Sequence, residues 1–325
     1  MLINKIVIVG GTGFVGKTLA NRLNQEGTEL RILTRNRERH KDNLILLPTV
    51  ELIQADVHDM YQLKKFFSGC DAVINLVGIL NEQGRDGSGF RHAHVELTRK
   101  IIEACQHAHI KRLLHMSALN ADAKLGTSHY LKTKGEAEDL AHQAEMQGIK
   151  VTSFRPSVIF GRDDSFFNRF AKLLKFTPLF FPLACARTRF APVFVGNVAE
   201  AFVRTLKDPV SYGRRYDLCG PKSYALEELV RYTAECTGIN RRIIPLNEIL
   251  SRIQAAVFDF VPGKPFSTDN FLSARVDSVC KQNGLHELGI VPAAIETVVP
   301  QYLANRSQRT RYYQFRSHIH RNHTA

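Results

Sequence analysis

Lys5-Ile6-Val7-Ile8-Val9-Gly10-Gly11-Thr12-Gly13-Phe14-Val15-Gly16 is the stretch whose reading decides the fold. A short apolar strand runs straight into glycines at 10, 13 and 16. Gly10 lets the backbone turn sharply out of the strand. Gly13 has no side chain, so a pyrophosphate can approach the main-chain N–H groups at a helix N-terminus. Gly16 lets that helix pack closely on the sheet. Leu19, Ala20 and Leu23 then recur on one helical face. Strand, glycine turn and amphipathic helix, in that order, are the context a dinucleotide fingerprint requires.

Outward from this stretch, apolar strands alternate with helical segments. Strands are expected at Lys5–Val9, Glu29–Thr34, Val50–Ala55, Ala72–Val77, Arg112–Met116 and Lys150–Arg155. Several are unbroken Val/Ile/Leu runs, as when both faces of a sheet are covered. A helix is expected over Val95–Gln106, with Leu97, Ile101, Ile102 and Cys105 on one face. The pattern predicts an α/β fold with a doubly wound parallel sheet. The rhythm changes after Gly161. Phe166, Phe167, Phe170, Phe176, Phe180 and Phe181 crowd a stretch broken by Pro178 and Pro182. They read as a plain core or as the wall of an apolar ligand site. Ile249, Leu250, Ile253, Val257 and Phe260 fall at helical spacing within Leu246–Phe260. Tyr216-Asp217-Leu218-Cys219 reads as a strand returning to the sheet. The expected division is a nucleotide-binding domain over 1–160, joined by strands near 190–220. A smaller substrate-side domain follows over 161–303, then a basic tail over 304–325.

The chain has 325 residues, of which 44% are hydrophobic, enough for a real core. No apolar run reaches the roughly 18 residues needed to span a bilayer. The first strand begins almost at Met1, so no signal peptide is expected. The six cysteines are scattered without a C-x-x-C pair and read as reduced, mostly buried thiols. No metal ligation is expected, because no His/Cys/carboxylate cluster has ligand spacing. These features predict a cytoplasmic protein.

The net charge is +13. Arg306, Arg309, Arg311, Arg316 and Arg321 follow Glu296 with no further acid. Such a tail is either solvated or docks on an anionic partner, such as a membrane complex or the inner face of a membrane. Nucleic acid is disfavoured, because no folded reader accompanies the charge.

The second strand ends in Leu33-Thr34-Arg35, where an NAD-preferring site places an acid for the ribose 2′-hydroxyl. Arg35 suits a 2′-phosphate instead, which favours NADP(H), with NAD(H) second. The other reading of Arg35, Arg37 and Arg39 is an exposed basic loop. Asp56-Val57 follows the third strand, where a carboxylate accepts from an adenine amino group. Leu76-Val77-Gly78 follows the fourth, where the chain passes under the adenosine ribose. Tyr130 and Lys134 stand four residues apart, on one helix face, after the fifth strand. An ammonium beside a phenol lowers its pKa and equips it to exchange a proton with a carbonyl or alcohol. Ser117, at the end of the fifth strand, is placed to bond the same substrate oxygen or to close a turn.

These motifs together resemble the short-chain dehydrogenase/reductase superfamily, in its extended and atypical branches. Three segments resemble more closely the nucleotide-binding accessory subunit of respiratory complex I and its bacterial relatives. They are Arg155–Asp164, Ser128–Lys134 and Pro192–Ala199. The resemblance covers roughly Lys5 to Pro300. It implies a Rossmann sheet and a tightly held dinucleotide, usually NADP(H). It places phosphate contacts at Thr12, Gly13, Phe14 and Val15, and a 2′-phosphate contact at Arg35. Tyr130, Lys134 and Pro156-Ser157-Val158 would line the nicotinamide end. The chain departs from active extended members at His94, where they carry Asn, and in the short segment Ser117–Asn120. Three functions follow as alternatives. The first is an oxidoreductase or epimerase acting on a small apolar or quinone-like substrate. The second is an accessory subunit docked on a respiratory assembly. The third is a redox sensor of the NmrA type that binds cofactor without turnover.

Overall fold

The computed structural model describes residues 3–41, 44, 46–262 and 264–304. Beyond Ala304, the basic tail read from the sequence lies outside the described residues.

The large strands are β1 (Lys5–Val9), β2 (Glu29–Thr34), β3 (Val50–Gln54), β4 (Ala72–Asn75), β5 (Arg112–Met116) and β6 (Lys150–Pro156). Short strands follow at β7 (Ile159–Phe160), β8 (Phe180–Leu183), β9 (Arg189–Phe190) and β10 (Val193–Phe194). Then come β11 (Arg215–Leu218), β12 (Tyr224–Ala225) and β13 (Arg242–Pro245). Seven of them form one sheet in the order β11-β6-β5-β4-β1-β2-β3. Every neighbouring pair is parallel. The strand order reverses between β1 and β4, and ligands of such sheets bind in the crevice there. The doubly wound parallel α/β reading therefore holds, and Tyr216–Leu218 does return to the sheet edge beside β6.

The helices of the first half are α1 (Phe14–Gln25), α2 (Arg37–His40), α3 (Met60–Phe67), α4 (Ser88–Arg91), α5 (Leu97–His107) and α6 (His129–Gln143). Ile6, Ile8, Ile32 and Ile74 point to one face and pack with Leu19 of α1 and with Val198 and Phe202 further along the chain. Val7, Val9 and Val73 point to the other and pack with Leu63 of α3 and Ile101 of α5. Alternate side chains thus feed two cores, which is why the strands read as continuous apolar runs. β4 is two residues shorter than expected. The Asn75 carboxamide oxygen accepts the Val77 N–H at 3.1 Å and turns the chain out of the sheet. The expected helix over Val95–Gln106 begins instead within a π turn, His92–Glu96, that joins α4 to α5.

The remaining helices are α7 (Phe167–Phe176), α8 (Val195–Leu206), α9 (Leu226–Thr237), α10 (Glu248–Phe258), α11 (Thr268–Ser273), α12 (Gly284–Glu287) and α13 (Ile295–Leu303). Val198 and Phe202 of α8 join the first core. The sheet is locked to α8 by Arg112, a fully buried guanidinium on β5. It donates to the carbonyls of Thr205 and Leu206 and to the Thr152 and Ser211 hydroxyls. A third core gathers Phe160, Phe167, Leu174, Phe181, Leu229 and Val299. Most of the crowded phenylalanine stretch is therefore core, with Phe166 on Phe167 and Phe170 edge to face. Phe176 and Phe180 are the exceptions and stay exposed.

One expectation is corrected. The cysteines are not all free thiols: Cys219 and Cys280 form a disulfide, while Cys70 and Cys105 are buried thiols and Cys185 and Cys236 half-buried ones. The bonded pair lies 61 positions apart in the sequence, so spacing gave no sign of it. The amphipathic segment at 246–260 forms α10 as expected. Its apolar stripe, however, faces solvent, and the small residues Ser251 and Ala255 make the packed face.

Candidate functional site

The sequence-marked residues converge on one edge of the sheet, at the C-terminal ends of β1 to β6. Gly10 has φ +83°, the left-handed conformation that favours glycine. A Cβ there would also lie 3.1 Å from the Val77 nitrogen, so β1 and β4 leave the sheet in close contact. Gly16 is packed against the Gly11 backbone, which leaves no room for a side chain. Gly13 is different. It is exposed, and a Cβ there would meet only the Gly10 carbonyl, at 3.3 Å. Gly13 begins α1 without a side-chain cap, and no acid stands in the first turn. Thr12, Phe14 and Val15 flank this start and are half-buried. An uncapped helix N-terminus, with its positive dipole end and free N–H groups, is an anion site in waiting.

Arg35 follows β2 and is exposed, and no described residue pairs with its guanidinium. Its neighbour Arg37 is engaged, donating to the Leu52 carbonyl at 3.2 Å. Asp56 is exposed after β3, with one carboxylate oxygen accepting the His58 N–H at 2.9 Å. Val57 packs on the second core. Leu76 and Val77 are half-buried, and Gly78 is exposed beside the Lys134 ammonium. Pro156 ends β6, and Ser157 and Val158 lead on to β7. The Ser157 hydroxyl donates to the Ser278 carbonyl at 2.7 Å and is thereby engaged.

Helix α6 is fixed at its start from two sides. The Ser128 hydroxyl accepts the Leu131 N–H at 3.1 Å. The Asp269 carboxylate, from α11, accepts the N–H groups of His129 (2.7 Å) and Tyr130 (3.2 Å). One turn on, Lys134 reaches down between two strand ends. Its Nζ donates to the carbonyls of Val77 and Met116, both at 3.0 Å. Burial lowers its pKa to about 8, with Glu138 opposing the shift. Tyr130 packs edge-on against His94 and Phe90. Its phenol is pushed up to about 12 by burial, with the Asp269 charge adding to the effect. The lowered phenol expected from the sequence is therefore corrected. At neutral pH Tyr130 is a protonated donor.

The Lys134 shift has a signed consequence. Above pH 8 the native chain gives up this proton, whereas an unfolded lysine keeps it to about pH 10.5. The unfolded state then binds more protons, so stability rises with pH through that window. Relative to Lys134→Met, the natural chain should gain about 1–2 kcal/mol between pH 7.5 and 9.5. Urea unfolding of both proteins at the two pH values measures it. A constant difference would show that Lys134 is not desolvated.

Ser117 is also corrected. It is buried, and its hydroxyl donates to Glu138 Oε2 at 3.0 Å rather than facing a substrate oxygen. Glu138 is itself fully buried. It further accepts the Ser153 hydroxyl and Arg155 Nε, the latter at 2.9 and 2.8 Å to its two oxygens. The sequence reading passed over Glu138 and Asp269, because a lone acid on a helix looks like a surface residue. His94 stands on the π turn and closes a second buried link. Its Nε2 accepts the Ile79 N–H at 3.2 Å, so Nδ1 carries the proton toward Thr133 Oγ1 at 2.9 Å. Burial holds it neutral, its pKa lowered to about 2.

A parallel sheet in this order, with an open helix start at its switch point, defines a nucleotide-binding protein of the Rossmann type. This chain belongs to the NAD dependent epimerase/dehydratase family, whose family model matches residues 6–219. It is 29% identical over 295 residues to NADH dehydrogenase (ubiquinone) 1 alpha subcomplex subunit 9, mitochondrial, of Mus musculus. That alignment covers 89% of this chain and 77% of the mouse protein. It is 26% identical over 241 residues to the ceramide reductase of Caulobacter vibrioides, covering 74% and 73% of the two chains. The solved structure of the Bordetella bronchiseptica enzyme WbmF, in complex with NAD+ and UDP, matches with a TM-score of 0.69 at 20% identity. The match covers 93% of this chain and 92% of that one.

Proposed function

We propose that this chain binds NADP(H), in preference to NAD(H), as an accessory protein of a membrane respiratory assembly. Thr12, Gly13, Phe14 and Val15 would hold the pyrophosphate and Arg35 the 2′-phosphate. Asp56 and Val57 would meet the adenine, and Leu76, Val77 and Gly78 the adenosine ribose. Lys134 and Tyr130 would hold the nicotinamide ribose, beside Pro156, Ser157 and Val158. The residues fit such a ligand: the start of α1 is uncapped, and Arg35 is exposed without a partner among the described residues. When bound, the dinucleotide supplies a hydride acceptor or donor.

The observation that carries the cofactor assignment is Arg35 in the place where a 2′-hydroxyl reader would need an acid. Hydrogen bonds to a charged group contribute about 1.5–3 kcal/mol. NADPH should therefore bind about 10- to 150-fold more tightly than NADH. Arg35→Ala should remove most of that difference and leave NADH affinity unchanged. Titration by cofactor fluorescence reads both, and equal affinities in the natural chain would overturn the assignment.

The accessory role is supported by likeness to the mouse subunit along most of both chains, and by Ser117 being committed to Glu138. The second reading is an oxidoreductase, favoured by one observation. Tyr130 is a protonated phenol beside the buried Lys134, as a donor to a carbonyl must be. Its substrate would be small and apolar or quinone-like. A sensor of the NmrA type would instead bind oxidised and reduced cofactor with different affinities. In the accessory reading the five tail arginines add an electrostatic contact to the assembly or to the anionic membrane around it.

A further inference from the structure

The solvent-facing stripe of α10 is not explained by the dinucleotide site. Ile249, Ile253 and Val257 recur at spacings of four, so they line one face of the helix, and Phe260 follows in the turn just beyond its end. They are 71%, 54%, 56% and 76% exposed. Leu250 widens the stripe. On the opposite face Ser251 and Ala255 are buried, so the helix is correctly seated and its apolar side still points outward. Neighbouring elements expose further apolar residues, and α10 reaches β8 where Gln254 Nε2 donates to the Pro182 carbonyl at 3.1 Å. β13 leads into α10 and pairs with β8 so that Arg242 stands beside Phe180 and Ile244 beside Pro182. Phe180 and Ile244 are exposed, as is Phe176 at the end of α7. Single exposed apolar residues are ordinary, but a whole helix face of them, in a chain that also exposes Phe176, Phe180 and Ile244, marks an interaction surface.

The charge around the patch identifies the partner. Exposed Arg252 lies on the edge of α10, Arg242 projects from β13 and Lys175 precedes Phe176. Arg85 stacks on the Phe260 ring at 4.0 Å. The acids of the same segment are already satisfied. Glu248 pairs with Arg275 at 2.9 Å, and Asp259 accepts the N–H and hydroxyl of Thr268. An apolar stripe with a cationic rim matches the boundary between acyl chains and anionic headgroups. It does not match a second copy, which would set the same cations against each other. Nor does it match residues 305–325 of this chain, which carry five arginines and no acid.

We infer that the outer face of α10, with the neighbouring edge of β8 and β13, seats the protein on an anionic bilayer. The inference concerns a surface separate from the dinucleotide site, and its test needs no cofactor. The chain contains no tryptophan, so Ile253→Trp introduces a single reporter. Full-length protein carrying it should show a blue-shifted emission with phosphatidylcholine vesicles containing 30% phosphatidylglycerol. Brominated acyl chains should quench that emission. Full-length Ile253→Glu/Val257→Glu, with the tail intact, should lose at least tenfold in co-sedimentation with those vesicles. Its urea midpoint should not change, since both side chains face solvent. The inference is overturned if the double variant sediments like the natural chain, which would assign lipid binding to the tail. It is equally overturned if the tryptophan is not shifted by vesicles. The same holds if sedimentation velocity shows a dimer that the double variant dissolves, which would make the face a contact between copies.

Discussion

Glu138→Ala is expected to cost about 3–5 kcal/mol of unfolding free energy, the range for removing one partner of a buried ion pair. The carboxylate is fully buried and holds Arg155 through both oxygens. It also receives the hydroxyls of Ser117, just after β5, and Ser153, within β6. Removal strands the Arg155 guanidinium and the Ser117 hydroxyl at the crevice edge of the sheet, while the Ser153 hydroxyl keeps only His142 Nε2 at 3.0 Å. Glu138→Gln keeps the shape and one acceptor oxygen, so it should cost less. Urea unfolding followed by circular dichroism separates the two. Equal, small losses would mean that water replaces the carboxylate and that the network is looser than its geometry.

Gly16 and Gly13 should respond in opposite ways to the same added methyl group. A Cβ at Gly16 would overlap the Gly11 carbonyl, and backbone cannot move aside as a flexible side chain can. Gly16→Ala should therefore cost about 1–3 kcal/mol as overpacking, and Gly16→Val more. It should also weaken NADPH binding, because the start of α1 is displaced. Gly13 has φ −74°, and a Cβ there would meet only the Gly10 carbonyl, at 3.3 Å, so Gly13→Ala should fold with a much smaller loss of stability. The methyl group would then stand where the pyrophosphate must approach, and NADPH affinity should fall by about tenfold or more. Thermal unfolding and cofactor titration of both variants measure the contrast. If Gly13→Ala binds NADPH normally, the start of α1 is not the phosphate site.

The sheet was legible because its chemistry is repetitive. β1 and β4 are buried on both faces, so their strands read as short apolar runs that no surface element would tolerate. The helical spacing of Tyr130 and Lys134 was legible for the same reason, a period. What a period cannot tell is direction. Ile249, Ile253 and Val257 announced an amphipathic helix, but nothing in the spacing says whether the stripe faces a core or solvent. Contacts between distant residues were hidden for a different reason. Ser117 could not be seen to bond Glu138, nor Tyr130 to lie near Asp269, 139 residues on. Those two acids decide the polarity of the crevice. The low pKa of His94 likewise comes from burial, which depends on what packs over it.

The Cys219–Cys280 bond makes the chain between these residues a covalent ring that carries α9, β13, α10 and α11. The ring includes both the helix with the outward apolar stripe and the acid that caps the start of α6. A protease that cuts once inside it opens the ring without dividing the molecule. Such a nicked protein would run as one species on a gel until a reductant is added, then as two. The segment can thus be cleaved while its two ends remain tied to the edge of the sheet.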